Sequence, residues 1–295
     1  MRRLTYRNQR TIGRAVEVRG IGFLTGAMVR LRFLPAPPDC GVVFIRSDLT
    51  ARAIIPARID QVTGTNRRTT LGHAPAQVEL VEHVLAALAG LHVDNCFVEL
   101  NVPEPPGLDG SALGFAEALL EAKIVMQQAQ RPIWHAEQSH VVKHGGATLA
   151  IHPWEEDALK ISYLLDYGLH SSIPSQVHTE VITPETFLNE IACCRTFILE
   201  SEAEALRSQG LGARTTAADL LVFDARGKPI DNTLRFADEP ARHKILDIIG
   251  DLALFGQDLR GHVVAYRSGH PLNVELVKGL GGQMGCGCPK PRLAA

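Results

Sequence analysis

The chain has 295 residues, 45% of them hydrophobic and 21% charged, with 30 Lys+Arg against 32 Asp+Glu and a net charge of -2. At roughly 150 residues per domain this predicts about two domains, and the composition excludes disorder as a description of the whole chain. The balanced charge excludes nucleic-acid binding through a bulk basic field, while leaving room for a local basic patch that takes a phosphorylated ligand.

The N-terminus, MRRLTYRNQRTIGR, is basic with no apolar stretch behind it, so it does not read as a secretory signal. Alternating residues over 14–19 and 28–33 predict half-buried strands separated by Gly-containing turns, and 41–45 predicts a further strand. Residues 80–91 predict a helix with Gly90 near its end, 96–102 a strand, and 111–122 a second helix. No apolar run approaches the ~18 residues needed to cross a bilayer. A break is expected at 127–132. Strands then follow over 147–152 and 159–165, and a helix over 184–192 with Thr183 as its N-cap before a proline. Residues 215–223 are ambiguous between helix and strand. The stretch 238–255 predicts a strong helix, and 272–280 a last one.

Strands and helices recur in a similar order in both halves, a duplicated α+β layout without a letter-level repeat. The expected domains are residues 1–129 and 130–281, followed by a loose Gly/Pro/Cys-rich tail over 282–295. The six cysteines, at 40, 96, 193, 194, 286 and 288, are too scattered for a disulfide framework. A cytoplasmic protein is expected, and no oligomer is implied.

Three places could carry chemistry. On the long second-half helix, His243 and Asp247 are one turn apart on one face, and Asp251 continues the row. A His and a carboxylate at this spacing can reach one divalent metal, although the same spacing also serves an ordinary polar face. In the first half, His83 could add a third ligand. The adjacent Glu82 points about 100° away around the helix and could take a proton from water at the metal. Finally, His270 lies between Gly269 and Pro271, on a loop by this reading, where it could act as a general acid or stabilise a developing oxyanion. The other nine histidines, among them His73, His92, His135 and His262, have no such company and read as structural or surface residues.

These features occur in order with QRTI (9–12), GIGFLTG (20–26), RTTLG (68–72), VEHVLAALAGLHVDN (81–95) and PEPPGLDGSA (103–112). CRTF (194–197), LRSQGL (206–211), RHKILDIIGDL (242–252) and RSGHPLN (267–273) follow. Over residues 9–280 the sequence resembles the zinc-dependent UDP-3-O-acyl-N-acetylglucosamine deacetylases (LpxC) of lipid A biosynthesis. The resemblance implies two similar α+β domains, each layering helices on a sheet, with the active site between them. It implies zinc on His83, His243 and Asp247, with Glu82 as the general base and His270 as the general acid tuned by Asp251. Thr196 would help polarise the amide carbonyl, Lys244 would face the substrate diphosphate, and Phe197 and Arg267 would line the substrate site. Iron(II) suits the same ligands. The substrate implied is an acylated UDP-N-acetylglucosamine, its acyl chain taken by an insert within 198–223.

The sequence departs from the family pattern at Leu24, at Glu79-Leu80, at Pro240 and over 213–221. These departures motivate two alternatives: a zinc deacetylase for another N-acyl amino sugar, and a catalytically silent protein that binds sugar nucleotides or acyl chains. Retention of both Glu82 and His270 favours the enzyme.

Overall fold

The structure, a computed structural model, describes residues 1–168, 171–212, 214–217 and 219–283. It opens with strands β1 (Arg2–Ile12), β2 (Val16–Ile21), β3 (Met28–Pro35), β4 (Val42–Arg46) and β5 (Ala53–Pro56). Short strands β6 (Val62–Gly64), β7 (Thr70–His73) and β8 (Ala76–Val78) lead into helix α1 (Glu82–Gly90), β9 (Cys96–Leu100) and α2 (Leu113–Glu121). Then come β10 (Ile124–His135), β11 (His140–His144), β12 (Ala147–His152), β13 (Leu159–Leu165), β14 (Gln176–Ile182) and a one-turn α3 (Pro184–Thr186). β15 (Phe197–Leu199), α4 (Glu200–Ser208), β16 (Leu221–Phe223), α5 (Glu239–Leu252), β17 (Asp258–Tyr266) and α6 (His270–Gln283) complete the chain.

The α+β class expected from the sequence is what the structure shows. One sheet has the order β2-β3-β9-β4-β5, and β6-β7-β8 form a small meander beside it. A seven-stranded sheet is organised around β17, which pairs with β10 through Asp258–Arg260, with β12 through His262–Tyr266 and with β13. Along β17 burial alternates residue by residue, as one core-facing side of a strand requires.

Several expectations change in detail. The expected break at 127–132 lies inside β10, which pairs along its length with β1. The first dozen residues therefore join the sheet of the second half. The helix expected from residue 80 starts at Glu82, because Leu80 has φ 55°, outside the right-handed helical region. Thr183 is the N-cap, its hydroxyl accepting from the Thr186 N–H, but only α3 and a π-helical turn over Phe187–Ile191 follow it. The ambiguous stretch 215–223 ends as β16, parallel to β15. Of the expected tail, residues 282–283 continue α6, and 284–295, with Cys286 and Cys288, lie outside the described residues.

α1 is apolar on nearly all sides, and such a helix is stable only when enclosed. It packs on α5 and α2, within one core cluster that includes Leu85, Leu88, Ile245 and Ile248. The approach of α1 to α5 depends on Gly250, where a Cβ would lie 2.1 Å from the Glu82 carbonyl oxygen. A side chain cannot fit there, so this glycine sets how close the two helices come.

Candidate active site

α5 begins with Glu239, a fully buried carboxylate. It accepts hydrogen bonds from the backbone N–H, Nε and Nη2 of Arg195. This ties the CRTF segment to the start of α5 and places the Cys194 carbonyl 3.0 Å from His243 Nδ1. The Nδ1–H donated to that carbonyl leaves Nε2 of His243 with its lone pair free. Burial pushes the His243 pKa down to about 3, so the ring is neutral, the form that ligates metal.

One turn on, Asp247 Oδ1 lies 3.4 Å from His243 Nε2 and 3.7 Å from His83 Nε2. Bonds of about 2 Å to a single ion accommodate these separations. Donor atoms of the three residues lie within 4.8 Å of one another, and this is the one such group among the described residues. Two imidazoles and one carboxylate suit zinc or iron(II) better than the all-oxygen sets that calcium and magnesium prefer. Burial would raise the Asp247 pKa, but the Lys244 ammonium outweighs it and holds the carboxyl well below its ordinary value. Lys244 Nζ donates to Asp247 Oδ2 at 2.8 Å and sits 5.5 Å over the Phe197 ring.

A second polar group stands beside these donors. Glu82 and Asp251 are almost wholly buried, as is His270. Asp251 Oδ2 accepts from His270 Nδ1 at 2.8 Å and from Asn273 Nδ2 at 2.8 Å. This fixes the imidazole and turns its Nε2 toward Glu82 Oε1, 3.9 Å away. Burial lowers the His270 pKa, but Asp251 and Glu82 more than reverse this and push it up to about 9. Burial raises that of Glu82. His270 is the first residue of α6, followed by a proline that suits a first helical turn, and is buried where the sequence placed it on a loop.

Both groups open into a cleft of about 760 Å³. Thr196 Oγ1 lies 3.4 Å from His83 Nε2 and 3.3 Å from His243 Nε2. Phe197 packs edge-on against His243 and Phe223. Arg267, at the rim, has φ 52° and is paired with Asp166. Leu24, Leu80, Ile198, Leu206, Leu211 and Val222 supply apolar wall. A second cavity of about 500 Å³, near the C-terminal ends of α1 and α5, contains none of the predicted site residues.

Residues 9–281 match the family of UDP-3-O-acyl N-acetylglycosamine deacetylases. A UDP-3-O-acyl-N-acetylglucosamine deacetylase of Chlamydia caviae is 40% identical over 270 residues, covering 92% of this chain and 95% of that protein. The chain belongs to this deacetylase family. Its counterpart in Myxococcus xanthus is 38% identical over 271 residues, covering 92% of this chain and 85% of that protein. The bifunctional enzyme LpxC/FabZ of Chlorobaculum tepidum is also 38% identical, and this chain spans 64% of that longer protein.

In this member of the deacetylase family, every predicted site residue except Asp251 lines the one cleft, and Asp251 stands directly behind His270. Sequence reasoning missed the parts that hold these residues in place. Glu104, fully buried, accepts from the backbone N–H groups of Leu24 and Thr25 and so fixes the GIGFLTG turn. The Arg195–Glu239 pair and the Cys194 carbonyl orient His243. Thr69 donates from its backbone to Glu82 and from its hydroxyl to Asp251. The RTTLG and CRTF motifs flagged these segments, but no spacing rule revealed what their atoms touch.

Proposed function

We propose that the protein is a zinc-dependent amide hydrolase that removes the N-acetyl group of a UDP-3-O-acyl-N-acetylglucosamine, a step of lipid A biosynthesis, in the cytoplasm. The observation that carries this reading is the convergence in one cleft of a His83–His243–Asp247 donor set, a carboxylate outside that set and a carboxylate-backed histidine. A purely structural metal site needs neither of the last two.

Zinc, when bound, supplies Lewis acidity that makes water acidic near neutral pH and polarises a carbonyl. Everything else falls to side chains. Glu82, held through Oε2, keeps Oε1 to accept a proton from the attacking water. The water oxygen adds to the amide carbon, with the Thr196 hydroxyl positioned to donate to the carbonyl oxygen as its charge grows. An amine is a poor leaving group until protonated. His270, carrying a proton at neutral pH, delivers it from Nε2 to the amide nitrogen as the C–N bond breaks, giving acetate and a free amino sugar. Asp251 holds the imidazole in register throughout. Lys244 and the cleft-lining Arg67, Arg207 and Arg267 supply cations for a diphosphate. The β15–α4–β16 insert offers apolar wall for the acyl chain.

Deacetylation of UDP-3-O-acyl-N-acetylglucosamine by purified protein of measured metal content tests this, beside Glu82→Ala and His243→Ala. We expect about one zinc per chain in the wild type and in Glu82→Ala, loss of zinc in His243→Ala, and loss of turnover in both variants. Bound zinc with turnover only on another N-acyl amino sugar would overturn the substrate assignment while keeping the chemistry.

A further inference from the structure

Thr69 precedes β7 and is wholly buried, and it does not line the cleft. Its backbone N–H donates to Glu82 Oε2 at 3.0 Å, and its carbonyl accepts from the Val81 N–H at 3.4 Å. Its hydroxyl lies 2.6 Å from Asp251 Oδ1 and 3.3 Å from His270 Nδ1. An ionised carboxylate only accepts, so the single hydroxyl proton goes to Asp251. The hydroxyl oxygen then faces the Nδ1–H of His270, whose main acceptor is Asp251 Oδ2.

One residue thus touches both arms of the acid–base pair, and the arms come from distant parts of the chain. Glu82 stands on α1, Asp251 on α5 and His270 on α6. We propose that Thr69 is the positioning residue that sets Glu82 Oε1 and His270 Nε2 at their working separation. The assignment rests on the acid and base roles proposed above. Its physical basis is the saturation of Asp251. Oδ2 is held by His270 and Asn273, and Oδ1 by Thr69, so the carboxylate plane cannot turn. Without the hydroxyl, Oδ1 is a buried oxygen with no donor, and turning to find one carries the His270 ring with it. A β-branched side chain in a closed environment keeps one rotamer, which suits this role.

Thr69→Val keeps shape and loses the hydroxyl, whereas Thr69→Ser keeps the hydroxyl and loses a methyl group. A positioning hydroxyl predicts that serine outperforms valine, and a packing role predicts the reverse. We expect kcat of Thr69→Val to fall about 10- to 100-fold, with KM within about twofold and zinc content unchanged. Thr69→Ser should recover most of the loss.

The second readout needs no turnover. In ¹⁵N-histidine-labelled protein, the His270 Nδ1–H resonance, assigned by its disappearance in His270→Gln, should shift or broaden in Thr69→Val and return in Thr69→Ser. If valine does not fold, Thr69→Ala receives the same measurements. An unmoved resonance in the hydroxyl-free variant, or valine outperforming serine, overturns the proposal. Should the wild type fail to turn over the acylated UDP sugar, the substrate reading fails, while the resonance still decides the role of Thr69.

Discussion

Two clusters of charge can be compared in this molecule, one largely buried at the cleft and one half-buried beyond the C-terminal ends of α1 and α5. In the second, Arg7 donates to both oxygens of Asp94 at 2.7 Å and to both oxygens of Asp258 at 2.6 and 3.0 Å. Arg131 Nε reaches Asp258 at 2.7 Å and Asp94 at 2.9 Å. Two guanidinium groups meet two carboxylates, every carboxylate oxygen is taken, and β1, β10, β17 and the segment after α1 are tied together. The cleft cluster is incomplete by comparison. Nε2 atoms of His83 and His243 converge on Asp247 without closing on it, and Glu82 Oε1 and His270 Nε2 face each other beyond hydrogen-bond range. A closed network serves the fold, because breaking it leaves a half-buried charge short of a partner. An open one keeps atoms for a ligand, at a cost that the surrounding fixed bonds must hold down.

The strongest test of that contrast substitutes one carboxylate in each cluster. Glu82→Gln should lower turnover by about 10²- to 10⁴-fold, the range expected when a general base is lost. Its thermal midpoint should be no lower than that of the wild type, because burial disfavours the charged form and the amide oxygen can still accept from Thr69 N–H. A large loss of stability would mean that Glu82 belongs to the closed kind of network. Asp94→Ala should do the opposite. It leaves Arg7 and Arg131 short of a partner and should cost about 3 to 5 kcal/mol in urea unfolding. Turnover per folded molecule should be unchanged.

The contrast also explains what the sequence could reveal. α5 was legible because His243, Asp247 and Asp251 share one face at helical spacing with apolar residues around them, and α1 because an apolar run ends at Gly90. β10 was not. Its residues 124–132 pair with β1 alone, before β17 joins at Ile133, and most of them are polar or exposed, with none fully buried. There is no core-facing alternation to detect, and Pro132 is tolerated where the ladder has one neighbour. The closed charge cluster was illegible for a related reason, since Arg7 and Asp258 are 251 positions apart. Thr69 and Asp251 meet across 182 positions through a hydroxyl that no local pattern marks. Residue types capable of chemistry were visible, whereas the bonds that aim them arise only on folding.

The smallest predicted effect separates the two clusters by pH. His92 follows α1 at φ 56° and lies in the cavity beside Arg7. Burial, with the positive charge of Arg7, pushes its pKa down to about 4, against about 6.5 in an unfolded chain. Between these values the unfolded chain binds the extra proton, so stability rises with pH. The contribution of neutral His92 is complete above about pH 6.5 and is lost as the pH falls toward 4. Asp258 does not titrate in that window. Burial raises its pKa, but Arg131 and Arg7 outweigh burial and hold it below the ordinary carboxylate range, so its contribution persists until more acid conditions. His92→Asn, which tolerates the left-handed backbone, should therefore lose about 2 kcal/mol less than the wild type between pH 7 and pH 5 in urea unfolding. His270, with its raised pKa, titrates in both proteins, and its effect cancels in the difference. Equal losses would mean that His92 reaches solvent readily in the native state, and that the cavity beside the closed network is wetter than its lining indicates.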